Sequence, residues 1–272
     1  MRSRYLTACL LLLPACAAAQ VPSKGPKEIA SPLTDRFYVR GSYFSASVTT
    51  LARQDPTAIQ LGTEVRGEED LGLDDKIDHG RMELGFRFSE NHRLRVDYFK
   101  LNRSGDSRLA RQITFDNQTY NINDRVQSLA DLRLLGFTYA WSFVHTERFE
   151  AGVGLGLHLV SAEGEGKVTA RNIREEGSAG GALPTVALDG AWRISRRWAV
   201  TARAQLFSIK IDDAKGQFAD YHFDVQYRWR PNVALGLGYS SISIDAESKD
   251  VNDPGLFKLE TSGPEAFFRV SF

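Results

Sequence analysis

The sequence predicts an all-β fold, a transmembrane antiparallel up-and-down β-barrel of about ten strands, with eight as the main alternative. Three observations predict it. From Arg36 onward apolar and aromatic residues alternate with polar or small ones at the strand period of two. Short polar turns alternate with long polar connections. Beyond the N-terminal leader no run reaches the length of about eighteen apolar residues that a membrane-crossing helix needs.

The elements follow in chain order. Arg2 and Arg4 form a basic start, Leu6 to Pro14 a short apolar core, and Ala17-Ala18-Ala19 the small residues that a signal peptidase requires. This reads as a signal peptide over residues 1–19, cleaved after Ala19. The competing reading is lipoprotein cleavage before Cys16, but Pro14 is not the usual residue of that box. Cys9 and Cys16 both fall in the leader, so the mature chain offers no disulfide and no thiol chemistry. Losing Arg2 and Arg4 moves the formal charge from zero to −2, which excludes a nucleic acid held by bulk charge. Residues 20–35, with Pro22, Pro26 and Pro32, read as a flexible periplasmic lead-in, and 36–272 as the barrel.

An opening strand runs near Phe37 to Val48. Met82, Leu84, Phe86 and Phe88 then alternate with Arg81, Glu83, Gly85 and Arg87, and after a polar break Leu94, Val96 and Tyr98 alternate with Arg93, Arg95 and Asp97. Two strands with one oily face each and a tight turn between them make a hairpin. The unit recurs from Leu135 to Phe143 with Phe149 to Leu159, from Val186 to Ile194 with Trp198 to Ala204, and from Tyr221 to Tyr227 with Val233 to Tyr239. A closing strand spans Glu265 to Phe272. Apolar stretches of roughly nine to eleven residues suit a tilted crossing of the hydrocarbon layer.

The long connections are Thr49 to Asp78, Asn102 to Ala130, Glu163 to Ala182 and Asp245 to Gly255; that asymmetry assigns short turns to the periplasmic end and long loops to the extracellular end. Within the second, Ile113-Thr114-Phe115 and Thr119-Tyr120-Asn121-Ile122 read as strand extensions above the membrane. Phe88, Phe143, Phe149, Trp192, Trp198, Tyr227 and Trp229 all flank the short turns and would form an interface girdle. Alternation alone cannot say which face is core, so a soluble sandwich or lipocalin-like barrel is the competing fold. Collecting aromatics at one end of the strands favours the membrane.

The chain ends Ala266-Phe267-Phe268-Arg269-Val270-Ser271-Phe272. The alternation of Phe268 and Val270 with a final aromatic, Phe272, resembles the C-terminal assembly signal of outer-membrane β-barrel proteins of the small, OmpA/OmpW-like kind. That resemblance implies a Gram-negative outer membrane as the location and insertion by the barrel assembly machinery. It also implies contact with outer-membrane lipid and lipopolysaccharide. It carries no cofactor and no oligomeric state.

Lipid-averse alternates should face the lumen: Arg81, Glu83, Arg87, Arg93, Arg95, Asp97, Glu150, His158, Asp189, Arg193, Arg203, Gln205, Asp220, His222, Asp224, Gln226 and Arg228. In a narrow low-dielectric interior they are expected to pair across strands. The sharpest catalytic hint is Asp220-Tyr221-His222, set near the extracellular rim. It resembles the Asp-x-His pair of the omptin proteases, also ten-stranded barrels. There the pair activates water opposite a second acidic pair, a role the resemblance would give to Asp74, Asp75 and Asp78. The lipid A-modifying barrels need a Ser/His or His/acid arrangement, and no serine stands at a suitable spacing from His158 or His222. The histidines are scattered, and the run from Glu68 to Asp75 lacks the spacing of a calcium loop, so no metal site is expected. The expectation is a non-enzymatic barrel with a structural, surface-interaction or small-solute channel role, and an outer-membrane hydrolase as the alternative.

Overall fold

The computed structural model describes residues 31–55, 62–115, 118–168, 173–211, 214–249 and 254–272. The expected signal peptide, and the lead-in as far as residue 30, lie outside them. Among the described residues the strands are β1 (Phe37–Gln54), β2 (Val65–Arg66), β3 (Lys76–Ser89), β4 (His92–Arg108), β5 (Ile113–Phe115), β6 (Gln118–Tyr120), β7 (Arg125–His145), β8 (Phe149–Val168), β9 (Ile173–Arg193), β10 (Trp198–Ile211), β11 (Ala214–Arg230), β12 (Val233–Ser248) and β13 (Gly255–Ser271). Ten of them pair antiparallel in the order β13-β12-β11-β10-β9-β8-β7-β4-β3-β1, and β13 pairs back onto β1 from Tyr38↔Ser271 to Gln54↔Gly255. The sheet is a closed ten-strand barrel, and each of its strands grows from one of the alternating segments of the sequence.

Their length departs from expectation. The barrel strands run from 14 residues in β3 to 21 in β7 and β9, well beyond the apolar stretches. Much of the four long connections is therefore strand: β4 continues to Arg108, β7 begins at Arg125, and β8 and β9 pair as far as Val168↔Ile173. Over these upper stretches the outward positions turn polar (Ser161, Glu163 and Glu165 in β8; Arg133, Asp131 and Gln127 in β7), so the period fades while the backbone ladder persists. The segment around Ile113 and Tyr120 does not extend the barrel strands. It forms its own β5–β6 ribbon.

The outward face below that level is apolar. Met82, Leu84, Leu94, Phe137, Leu155, Leu157, Leu188, Phe223, Leu235 and Leu237 are all exposed, Leu237 by 70%. A water-soluble domain would bury them; a lipid-facing belt would not. Four or five outward positions per strand span about 23 Å at a rise of about 3.3 Å per residue and a tilt of about 40°, close to the height of a barrel's apolar band.

All seven short-turn aromatics lie at one rim. Phe88, Phe143, Phe149, Trp192, Trp198 and Trp229 are exposed, while Tyr227 is half-buried by Trp198 at 5.0 Å and accepts a hydrogen bond from Arg197. Three of them sit on register shifts, between Arg87 and Ser89, Ser142 and Val144, and Arg228 and Arg230. At each shift the extra residue is an aromatic, Phe88, Phe143 or Trp229, left without a strand partner and presented outward. At the other edge of the belt Tyr43, Tyr98, Tyr221 and Tyr239 are exposed on the last apolar outward positions, a second girdle that the sequence reading did not pick out.

Replacing Leu237 by Arg should therefore destabilise the lipid-embedded barrel by about 2–4 kcal/mol. Denaturant titration in phospholipid vesicles measures it; an unchanged midpoint would place Leu237 in water.

Candidate functional site

Inward positions build the site in layers. At the short-turn end, Ser31 to Asp35 fold into a turn that enters the barrel mouth, closed by Thr34 and Asp35 amides donating to the Ser31 carbonyl. Leu33 is 1% exposed there, and Ser31, Pro32 and Asp35 are buried with it, so the end of the expected lead-in is packed with Thr34 alone of these five exposed. Asp35 receives Arg228 at 3.0 Å and Arg269 at 2.9 Å. Beside it Glu150 takes Arg87 at 2.8 Å, Arg93 at 3.4 Å and the Ser142 hydroxyl. Arg193 is half-buried on the same side of its strand as Asp189 and Ala191.

The next level pairs Arg95 with Asp189 at 2.8 Å and Arg203 with Glu83 at 2.5 Å; Glu83 also accepts from the Tyr38 hydroxyl. A cavity of about 50 Å³ remains among Tyr38, Glu83, Arg95, Asp189 and Arg203, room for a few waters. At mid-barrel Arg40 reaches Asp224 at 2.8 Å and also Glu265, its guanidinium lying 3.7 Å over the Phe267 ring. Arg81 holds Asp220 at 2.8 Å and Asp97 at 3.1 Å and bonds the His222 ring. Among the described lumen pairs, eight arginines (Arg40, Arg81, Arg87, Arg93, Arg95, Arg203, Arg228 and Arg269) meet eight carboxylates (Asp35, Glu83, Asp97, Glu150, Asp189, Asp220, Asp224 and Glu265).

Above this polar interior sits an apolar plug. Phe44, Ala46, Val48, Phe99, Leu101, Leu132, Leu134, Phe218, Ile242, Ile244 and Leu259 form one buried cluster inside the barrel, with Ile77, Val160, Leu183 and Phe207 against it. At this level the lumen is filled by apolar side chains.

Higher still the strands carry a second small core of Val65, Leu109, Ile113, Tyr120, Val126 and Val168, with Leu71 packed on it. Charged pairs brace it: Arg103 to Glu68 at 2.5 Å, Arg111 to Asp70 at 2.7 Å, and Arg53 to Asp55 at 2.7 Å. Gly72 permits the close crossing over β4, since its φ of 66° is left-handed and a Cβ there would stand 2.8 Å from Ser107 Cβ. Burial opposes ionisation of Asp55 and Asp70, but the Arg53 and Arg111 guanidiniums and the donating amides of Gly62 and Arg66 hold both below the ordinary 3.8.

The expected lumen charges therefore face the lumen, but the catalytic hypothesis changes. Asp220 and His222 are not at the rim. They are 0% and 4% exposed, at mid-barrel beneath Phe44, Phe99 and Phe218. The acidic partners suggested for them are elsewhere: Asp74 and Asp75 are exposed near the upper loop, and Asp78 faces outward, bonded to Tyr43 and Ser45. The carboxylates that do approach are Asp97, through Arg81, and Glu265, 3.7 Å from His222. The displacement arises because β11 begins at Ala214, seven residues before the alternation becomes visible at Tyr221. Asp35, Arg40, Glu265 and Arg269 were missed as lumen partners. The period-two phase of β1 and β13 contained the signal for the last three; nothing in the sequence flagged Asp35.

No protein-family model and no curated protein sequence matches the chain. Among solved structures, the outer membrane protease OmpT from Escherichia coli superposes with a TM-score of 0.54 at 10% identity, over 91% of this chain and 100% of that one. The toluene transporter TodX of Pseudomonas putida (TM-score 0.37, 7% identity, 90% and 94% covered) and the attachment invasion locus protein Ail of Yersinia pestis (0.35, 12%, 86% and 99%) align more loosely. At these identities the shared feature is the fold, and the first superposition alone bears on it.

Two outcomes follow. Glu83→Leu should cost about 3–5 kcal/mol because Arg203 is left buried and unpaired, and Glu83→Leu with Arg203→Leu should recover most of it; equal losses in single and double variants would deny the pairing. Because Asp55 and Asp70 are depressed in the folded state, their contribution is complete above pH 3.8 and lost as pH falls through their lower folded values. Exchange protection of the Gly62 and Arg66 amides, corrected for intrinsic rates, should fall there; protection that stays constant while the two carboxylates become protonated would contradict it.

Proposed function

We propose that this chain, which has the fold of the outer-membrane β-barrel proteins, is a sealed barrel that anchors an ordered extracellular rim and does not conduct solutes. The observation that carries this reading is the apolar plug of Phe44, Phe99, Leu134, Phe218 and Ile242 across the lumen. Water and ions passing that level would need several buried aromatic and aliphatic side chains to move, against close packing on every side. Below it the matched arginines and carboxylates occupy the remaining section.

What is left to act is the rim. Its second core, braced by Arg103, Arg111 and Arg53, costs ordering entropy that a barrel serving only as a membrane plug has no need to meet. That expense supports a surface-interaction role. In this reading residues 1–19 are removed on export, the belt sits in outer-membrane lipid with lipopolysaccharide around its upper half, and Phe268, Val270 and Phe272 present the closing strand to the barrel assembly machinery. The hydrolase alternative loses support because Asp220 and His222 have no route for a substrate past Phe99 and Phe218.

Planar-bilayer recording tests the proposal. The purified barrel should give no discrete current steps, whereas Phe99→Ala with Phe218→Ala should introduce them or raise leakage. Regular single-channel steps from the unmodified protein would overturn it.

A further inference from the structure

We propose a buried divalent-cation site in the barrel, formed by Asp97, His158 and Asp220 beside Gly136. One ligand atom from each of the three lies within 4.8 Å of the other two. A single ion about 2.0–2.4 Å from each donor needs no greater spread.

The hydrogen bonds say which atoms are free. Arg81 takes Oδ2 of Asp97 and Oδ2 of Asp220; Asp97 Oδ1 is left without a hydrogen-bond donor, and Asp220 Oδ1 lies 2.9 Å from His222 Nε2. Nδ1 of His158 faces the Thr185 hydroxyl at 3.4 Å, and that hydroxyl faces Gln205 Oε1 at 3.5 Å. The consistent direction is Nδ1–H to Thr185 and Thr185 O–H to Gln205, because Gln205 Oε1 can only accept. His158 Nε2 is then a bare lone pair, and it too has no partner. The three side chains are fully or almost fully buried, out of contact with bulk water. The bare lone pairs of Asp97 Oδ1 and His158 Nε2 meet a carboxylate oxygen of Asp220 in one buried space. A histidine whose far nitrogen is oriented by a hydroxyl has the arrangement of a metal ligand.

Two further observations agree. A Cβ on Gly136 would lie 2.7 Å from Asp97 Oδ1 and 2.8 Å from His158 Nε2, so glycine is what leaves the space open above these atoms. Charge is also uneven along the lumen. At mid-barrel two guanidiniums, Arg40 and Arg81, face four carboxylates, Asp97, Asp220, Asp224 and Glu265, with the His222 ring between Asp220 and Glu265. A divalent cation would add positive charge where carboxylates outnumber arginines. A mixed imidazole and carboxylate set suits the zinc and manganese class better than calcium. The plug and the Asp35 turn close both ends, so the ion would be enclosed as the barrel forms.

The test refolds an untagged, chelator-treated chain into detergent micelles with zinc chloride or with EDTA, followed by desalting. We expect about one zinc per chain by elemental analysis and a higher unfolding temperature than in EDTA. Gly136→Ala and His158→Gln, checked for barrel formation by heat-modifiable migration, should lower retained zinc roughly tenfold or more. Zinc no higher in the unmodified protein than in the variants, or an unfolding temperature identical in zinc and EDTA, overturns the site and leaves a proton as the bridging charge. The EDTA comparison stands even if neither variant folds.

Discussion

A sheet that lies in hydrocarbon has no water to satisfy an unpaired strand edge, and each buried N–H or C=O left alone costs several kcal/mol. The pairing of β1 with β13 over Tyr38↔Ser271 to Gln54↔Gly255 answers that constraint, and the rest of the molecule is arranged around it. Phe272 extends the seam past the last strand residue: its amide donates to the Phe37 carbonyl, and its own carbonyl accepts from the amides of Arg36 and Phe37. The terminal aromatic is therefore a lipid-facing side chain on the stitch that removes the barrel's last edge.

Closure in lipid inverts the usual layering. The belt is spent on solvent that is itself oily, so stability from burial must come from the inside. There the section is narrow, strands alternate, and inward charges such as Arg40, Arg81 and Arg95 meet partners from across the barrel. Polar side chains in such a space are tolerable only when matched. Asp35 completes the matching at the short-turn end, where Arg228 and Arg269 would otherwise share no acid. A residue just before the first strand thus belongs energetically to the barrel.

Strand number, order and facing were legible in the sequence because the belt forces a strict period of two, as Met82 to Phe88 and Leu135 to Phe143 show. Strand length was not. Above the belt the outward face turns polar, and from Ser161 to Lys167 the inward phase holds only Ala162, Gly164 and Gly166, so nothing there distinguishes a ladder from a loop. The plug was hidden for a different reason: Phe44, Phe99 and Phe218 are apolar residues in the inward phase, where the membrane pattern leads one to expect charge. Arg40 was hidden by its neighbours, since Gly41, Ser42 and Ser45 blur the alternation of β1. Asp220 and His222 were correctly turned inward but set too high, because a reading that starts β11 at Tyr221 loses its first seven residues. Convergence of His158 on Asp97 and Asp220 joins β8, β4 and β11, and no local spacing encodes that.

That last point bears on how the fold is reached. The lumen pairs join residues far apart in the chain: Arg95 and Asp189 are separated by 94 positions, Arg81 and Asp220 by 139, Arg40 and Glu265 by 225, and Arg269 and Asp35 by 234. Hairpins such as β3–β4 or β12–β13 can form locally, yet they hold only fragments of this network. An isolated hairpin would leave Arg81 or Glu265 short of its cross-barrel partners. The charged interior therefore penalises every partly closed sheet and rewards the complete one. The same pairing that satisfies the backbone edge between β1 and β13 brings Arg40 to Glu265, so closure of the seam and neutralisation of the lumen are one event.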